Sequence, residues 1–303
     1  MPFYQSPSLY IDFSQLPQPD VVETIDYETL LATYKSQVLA ANPNLAAALD
    51  LEQSPTNIIL EAEAYGEMLV RARVNAAARA CMLAFATKDD LDNLGALFNV
   101  ERMSVTTVDS QNQTITTYET DDRFRLRVQM APEAFTTAGS GGAYTFQALS
   151  SDLTIRDARP SVPSPGRVLV SIMNSGSDPT ATPSQIANAT AQLTDPHIKP
   201  LTDDVSVVGV SVIPTNIETT VTLYPGPDAT TILNNIAKAL TALRSRIALI
   251  GRDLTRSSII AACNQEGVQN VDLISPATDI VADDLSCVWI QSATVTPAIL
   301  RAE

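Results

Sequence analysis

Apolar positions in the first third of the chain recur at helical spacing. Ile58, Ala62, Tyr65, Leu69, Ala72, Ala76, Ala80 and Leu83 follow one another in steps of three or four, which places them on one face of an α-helix. No proline interrupts the run, and Gly66 is its only strong helix breaker. At about 1.5 Å of rise per residue, a helix reaching Phe85 would make a rod of roughly 45 Å, longer than most helices of globular domains. Thr87 is the expected N-cap of a second helix, with Asp90 in the capping-box position and Asp89 favoured by the helix dipole. Leu91, Leu94 and Phe98 then continue the apolar face.

The small residues of the rod matter as much as the large ones. Ala72, Ala76, Ala77, Ala78 and Ala80 would let another helix approach closely, and Arg71, Arg73 and Arg79 surround them with hydrogen-bonding capacity. That profile suits a helix lying against other helices, although an ordinary amphipathic core helix satisfies the same pattern.

Before the rod, residues 1–23 interleave Pro2, Pro7, Pro17 and Pro19 with aromatic and aliphatic side chains, which predicts an extended arm packed on its own chain or a neighbour. A first helix is expected from near Asp26, carrying Leu30, Leu31, Tyr34 and Val38, and ending before Asn42-Pro43. Residues 44–51 read as a short alanine-rich turn of helix.

After Val100 the helical period disappears. VTTVDSQNQTITTYET alternates β-branched and polar residues, as a hairpin or an exposed loop would. Asp121 or Asp122 is expected to cap DRFRLRVQMAPEAF, with Phe124, Val128 and Phe135 facing inward across a break at Pro132. A glycine-rich stretch with Gly139, Gly141 and Gly142 reads as a hinge before a short helix carrying Tyr144, Phe146 and Leu149. It is no phosphate loop, since no Lys-Ser/Thr follows and no strand precedes it.

From there the pattern turns α+β. TIRDA and VLVSIM read as strands joined by the turn-rich PSVPSPG, and Thr182, Pro183 and Gln185 make a strong helix start. VSVVGVSVIP reads as one returning strand. In IETTVTLY, from Asn216 onward, Ile217, Thr219, Val221 and Leu223 share one face. Asp228 should cap a helix with Ile232, Ile236, Leu240, Leu243 and Ile247 inward, and Thr255 a shorter one ended by Gly267. VQNVDLIS and CVWIQSATVTP complete a second unit, so the two halves form a loose internal repeat. The expected fold class is α+β: a helical N-terminal region with a long projecting helix, then two small α+β domains. The boundaries fall at 1–99 for the arm and helical region, 100–152 for the connecting segment, 153–214 and 215–303.

Composition narrows the function. With 303 residues, 45% hydrophobic and 17% charged, the chain lies far from the disordered regime. A formal net charge of −15 argues against nucleic acid, which needs cationic groups to release counterions, and against an acidic membrane surface. Cys81, Cys263 and Cys287 form no CxxC pair; Cys81 and Cys263 read as buried small hydrophobes, and the odd count favours a reducing compartment. The first residues show no leader pattern, and no apolar run approaches the roughly 18 residues of a membrane span. A soluble product made in the cytoplasm is expected.

Catalytic chemistry finds no foothold. His197 is the single histidine, in DPHIKPL, and no GxSxG elbow accompanies it. One histidine and scattered cysteines do not make a clustered metal site. Asp89-Asp90, Asp203-Asp204 and Asp283-Asp284 are the adjacent carboxylates, each at a turn or helix start where acidic residues serve local needs. No catalytic, cofactor-binding or metal-binding residue is therefore nominated.

Several stretches add up to a resemblance. ILEAEAYGEMLVRARVNAAARACMLAFATKDDLDNLGALFNVER, DDRFRLRVQMAPEAFTTAGSGGAYTFQALSSD, the TLYPGPD turn, PLTDDVSV and GRDLTRSSIIAACNQEGVQNVDLISPATDIV resemble the baseplate assembly protein J family of contractile-tailed phages and tailocins. The resemblance spans most of residues 20–296. It implies a structural subunit of the baseplate wedge in the virion tail. It implies too a helical core bundle shared with other copies and wedge proteins, such as a tail protein I-like subunit and a small wedge protein, with C-terminal domains contacting neighbours and sheath or hub as further partners. Tyr65, Leu69, Ala72, Ala76, Ala80 and Leu83 are the expected bundle contacts. Gly139, Gly141 and Gly142, with the loop from Val100 to Glu119, are the expected places where one chain takes two conformations. Two other readings compete: a tail enzyme acting on glycans through an unidentified carboxylate pair, and a secreted β-rich adhesin, which the helical first third disfavours.

Overall fold

A computed structural model of the chain describes Phe13, Leu16 and residues 26–108, 111–136, 139–225 and 228–299. The expected N-terminal arm otherwise lies outside these residues. The chain divides into two compact units: residues 1–102 with 120–128, and residues 103–119 with 129–303.

The first unit is helical. Asp26 caps α1 (Tyr27–Ala41) by accepting the N–H groups of Glu28 and Thr29, and Asn42 starts a 3-10 turn leading into α2 (Ala46–Leu49). Ser54 then caps α3 (Pro55–Ala80) through the N–H of Asn57, with Pro55 in the first turn where its missing N–H costs nothing. Buried Asn57 donates its amide to the carbonyls of Leu49 and Leu51 at 2.9 and 2.5 Å, so the end of α2 is tied to the start of α3. The Tyr34 hydroxyl bonds the Glu67 carboxylate, holding α1 along α3.

α3 runs unbroken through Gly66 but stops short of Phe85. The Met82 N–H bonds Arg79 and the Phe85 N–H bonds Met82, tight turns that replace the α-helical ladder. Arg125 donates to the carbonyls of Leu83 and Ala86, both at 2.8 Å, and fixes that segment outside the helix. Leu83 accordingly sits in a turn and not on the rod, and Cys81 is exposed rather than buried. Thr87 does precede α4 (Lys88–Ala96), but its side chain caps nothing. Asp121, brought from α5, accepts the Lys88 N–H at 3.2 Å in place of the predicted capping box.

The hub of this unit is Arg102, paired with Asp92 at 2.7 Å and Asp121 at 2.8 Å and stacked 4.7 Å above the Phe124 ring. Phe124 and Val128 of α5 (Asp121–Met130) are buried with Leu91 and Val100. Gly95 is required there: a Cβ would lie 2.5 Å from Phe124 and 2.9 Å from the Val100 carbonyl.

The second unit carries three sheets. β1 (Ser104–Val108) and β2 (Thr114–Tyr118) form an antiparallel hairpin. The stretch across Pro132 is a 3-10 segment (Ala131–Phe135), whose three residues per turn break the α-helical spacing, and its Phe135 is exposed, against the expectation. Ser140 caps α6 (Gly141–Ser151), which buries Tyr144, Phe146 and Leu149. β3 (Ile155–Ser164) pairs antiparallel with β4 (Arg167–Asn174), and β5 (Asp204–Gly209) adds parallel to β4 through α7 (Pro183–Leu193). β3 continues through most of the segment expected to be a turn: Pro160 and Pro163 lie on an edge strand, where a missing N–H is tolerated.

VSVVGVSVIP is two strands rather than one. The chain leaves the first sheet at Gly209 and enters the second as β6 (Ser211–Leu223), whose buried face carries Ile217, Thr219, Val221 and Leu223 as predicted. Antiparallel β7 (Val268–Ser275) and parallel β8 (Ser286–Ile299) flank β6. α8 (Ala229–Ile247) lays Ile232, Ile236, Leu240, Leu243 and Ile247 against the sheet together with Ile259 and Cys263 of α9 (Arg256–Cys263). The two three-stranded sheets are joined chemically: Arg159 pairs with Asp284 at 2.8 Å, and the Ser171 hydroxyl donates to the Asp284 carbonyl at 2.7 Å.

Candidate assembly surface

α3 turns a narrow stripe inward and a broad apolar surface outward. Its buried residues are Asn57, Ala64 and Asn75. Tyr65, Leu69, Ala72 and Ala76 are exposed, Tyr65 by 53% and Leu69 by 51%, and Ala80 is half-buried. The four predicted contacts from Tyr65 to Ala76 therefore share one open stripe, which Ile58 extends; Ala80 stands at its end, and Leu83 leaves it with the turn.

A second stripe went unread in the sequence. Ile59, Val70 and Val74 are exposed by 67, 63 and 57%, with Ala77 beside them. At roughly 100° per residue these positions centre about 120° around the helix from the first stripe, with Gly66 and Arg73 between. The signal lay in their own spacing, eleven residues and then four, but counting a single face hides it. Large aliphatic side chains left open in two rows along one helix are not scattered surface apolars. Rows of this kind mark interaction sites.

An ion pair lies on the same helix. Arg71 reaches Glu67 one turn back at 2.6 Å, and this carboxylate also receives the Tyr34 hydroxyl. Both bonds favour its charged form and lower its pKa, the Tyr34 bond most.

The glycine-rich segment is closely packed. Gly139 has a left-handed backbone (φ +69°), and a Cβ there would lie 2.8 Å from Pro200 and 3.0 Å from the Asp203 carboxylate. A Cβ on Gly142 would lie 2.7 Å from the Glu133 side chain, whereas Gly141 has room. Beside them Tyr144 donates to Asp203 at 2.6 Å, and burial pushes its hydroxyl pKa far up. A cavity of about 90 Å³ lies here, lined by Gly139, Tyr144, Gln147, His197 and Pro200 among others.

The carboxylate pairs are engaged locally. Asp203 accepts Tyr144, Asp204 faces Arg167, Asp283 accepts the Leu285 N–H and Asp284 holds Arg159. Asp89 and Asp90 occupy the first turn of α4. His197 is exposed, and its backbone N–H donates to Asp195. Among the described residues no cluster of histidine, cysteine and acidic side chains could hold a metal, and no helix is long and apolar enough to cross a membrane.

Comparison with known proteins gives the family. Residues 52–109 match the model of the baseplate J-like N-terminal domain, which spans α3, α4 and β1, and residues 215–295 match the baseplate J-like protein C-terminal domain. Baseplate protein J of Escherichia phage P2 is 38% identical over 278 residues, covering 89% of this chain and 92% of that protein. The class is thus a structural protein of a phage-tail baseplate. Within it, the chain belongs to the baseplate J-like family.

Proposed function

We propose that the chain is a wedge subunit of a contractile-tail baseplate, joined to its partners through α3. The observation that carries this reading is the pair of open apolar stripes about 120° apart on one helix, with α1 along a remaining side. Two helices from other chains would each cover one stripe, completing a bundle in which the alanines of the first stripe allow close approach. The proposed donors are a second copy and a tail protein I-like or small wedge subunit, assembled in the host cytoplasm, with the C-terminal sheets meeting neighbouring wedges and sheath or hub beyond them. The fourfold division at 99, 152 and 214 is proposed as a division of labour between bundle, connector and two lateral domains. The segment Gly139–Gly142 and the β1–β2 hairpin are the proposed points where copies in different environments differ. Two copies in one baseplate superimposing as a rigid body across both would refute that last element.

The test of the whole reading is co-expression with the neighbouring tail proteins. Wild-type chain should purify as a stoichiometric complex, and Ala76→Glu should keep its circular dichroism while losing the partners. A stable monomer that cleaves cell-wall glycan would favour the enzyme reading instead.

A further inference from the structure

The β1–β2 hairpin is exposed on both faces from Ser104 to Thr107 and from Thr114 to Tyr118, and two-stranded hairpins are marginal alone in water. Its base is pinned: Glu119 is buried, donates its N–H to the Met103 carbonyl at 2.9 Å and accepts the Met103 N–H through its carboxylate at 3.1 Å. That bond sets the alternation. Val105–Thr117 and Thr107–Ile115 continue as hydrogen-bonded pairs, so Ser104 and Thr106 on one strand, and Thr114, Thr116 and Tyr118 on the other, aim their backbone groups outward. Tyr118 and Ile115 are exposed by 64 and 48%.

Among the described residues, the two three-stranded sheets carry one edge suited to receive it. Among the described residues β8 pairs only with β6, and after the single bridge between Cys287 and Ile250 its outer edge is open. From Gln291 to Ala298 it is almost wholly exposed and bears no charge. Edges usually carry charges, bulges or prolines that discourage pairing; here the register shift that leaves Gln291 unpaired and Pro297 bracket an uninterrupted run from Ser292 to Thr296, long enough for a five-residue strand. The other outer edges of the two three-stranded sheets are guarded: β3 carries Arg156, Asp157, Arg159 and two prolines, β5 begins at Asp204, and β7 holds Asp272. For a chain of net charge −15, copies meet most favourably where neither contributes charge, and β2 and the β8 edge are both uncharged.

We propose that β2 of one copy adds as a fourth strand to the β8 edge of a second copy, giving a head-to-tail contact between copies by strand addition. The proposal deepens the multi-copy reading above and rests on it, but it does not involve α3.

The experiment uses full-length chain in assembled baseplates, with Cys81→Ser removing the exposed native thiol. Two differently tagged copies, one Thr116→Cys and one Thr294→Cys, should be joined by a short bis-maleimide, and neither should join to its own kind. Thr116→Pro removes an outward N–H while sparing the hairpin ladder, and should cut the yield of assembled baseplates by about tenfold or more, as expected for losing at least 1.4 kcal/mol at each contact. Thr106→Pro, the matched change on β1, should assemble normally. Absence of the mixed cross-link in intact baseplates, cross-linking only between like cysteines, or equal loss with both prolines would overturn the proposal. Normal assembly of Thr116→Pro alongside failure of Ala76→Glu would reject the strand contact and leave the bundle standing.

Discussion

The carboxylate of Asp157 on β3 accepts the backbone N–H of Ile250 at 2.8 Å, across 93 residues of sequence. Asp157 also accepts the Ala158 N–H, and Ile250 in turn bridges to Cys287 on β8, so this one side chain fastens the first sheet to the second. Arg159 completes the joint by donating to the Ile250 carbonyl at 3.1 Å.

Burial raises the Asp157 pKa despite the two N–H donors and the nearby arginines. An acid whose folded pKa is raised binds its proton more tightly in the native state. Its contribution to stability is therefore fullest at acid pH and is lost as pH rises through the folded value. Asp157→Asn, which keeps an acceptor without the charge, should gain on wild type in urea melts at neutral pH. The difference should shrink as pH falls toward the usual carboxylate range. A gap that widens on acidification would contradict this assignment.

Ile236 is wholly buried at the centre of α8, among Val221, Leu254 and Ile259. Replacing it with alanine leaves a cavity in addition to the lost transfer energy, so Ile236→Ala should cost roughly 2–5 kcal/mol by denaturant unfolding.

Nothing lies within 4 Å of where a Gly66 Cβ would stand. In the isolated chain, Gly66→Ala should stabilise the protein by up to about 1 kcal/mol, the difference in helix propensity. Because Gly66 separates the two open stripes, Gly66→Leu should do no harm to the isolated chain yet weaken recovery of the complex, which co-purification would report.

Burial pushes the thiols of Cys263 and Cys287 up to about 11, whereas Cys81 is exposed after α3. Iodoacetamide should modify Cys81 alone in native chain at neutral pH, with the other two reacting only on unfolding; mass spectrometry of peptides reads this directly.

How much of this was legible depended on whether the determinant was local. The full capping box at Thr182 and Gln185, the five inward residues of α8 and the alternating face of β6 all follow from spacing within one element. What failed involved partners distant in sequence. α3 ends early because Arg125 claims the carbonyls of Leu83 and Ala86, and α4 is started by Asp121 rather than its own capping box. The break at Val210 is set by which sheet each half can join, which no local pattern encodes. On α3, the residues from Tyr65 to Ala76 were found because they repeat at one spacing; Ile59, Val70 and Val74 were missed because a helix with two bare faces weakens any single-face signal.

The central claim is that α3 is bare in the free chain and covered in the tail. Hydroxyl-radical footprinting of Tyr65 and Leu69, compared between purified chain and intact baseplates, tests it most directly. The account predicts strong oxidation of both residues in the free protein and clear protection in the baseplate. Equal reactivity in the two states would contradict it.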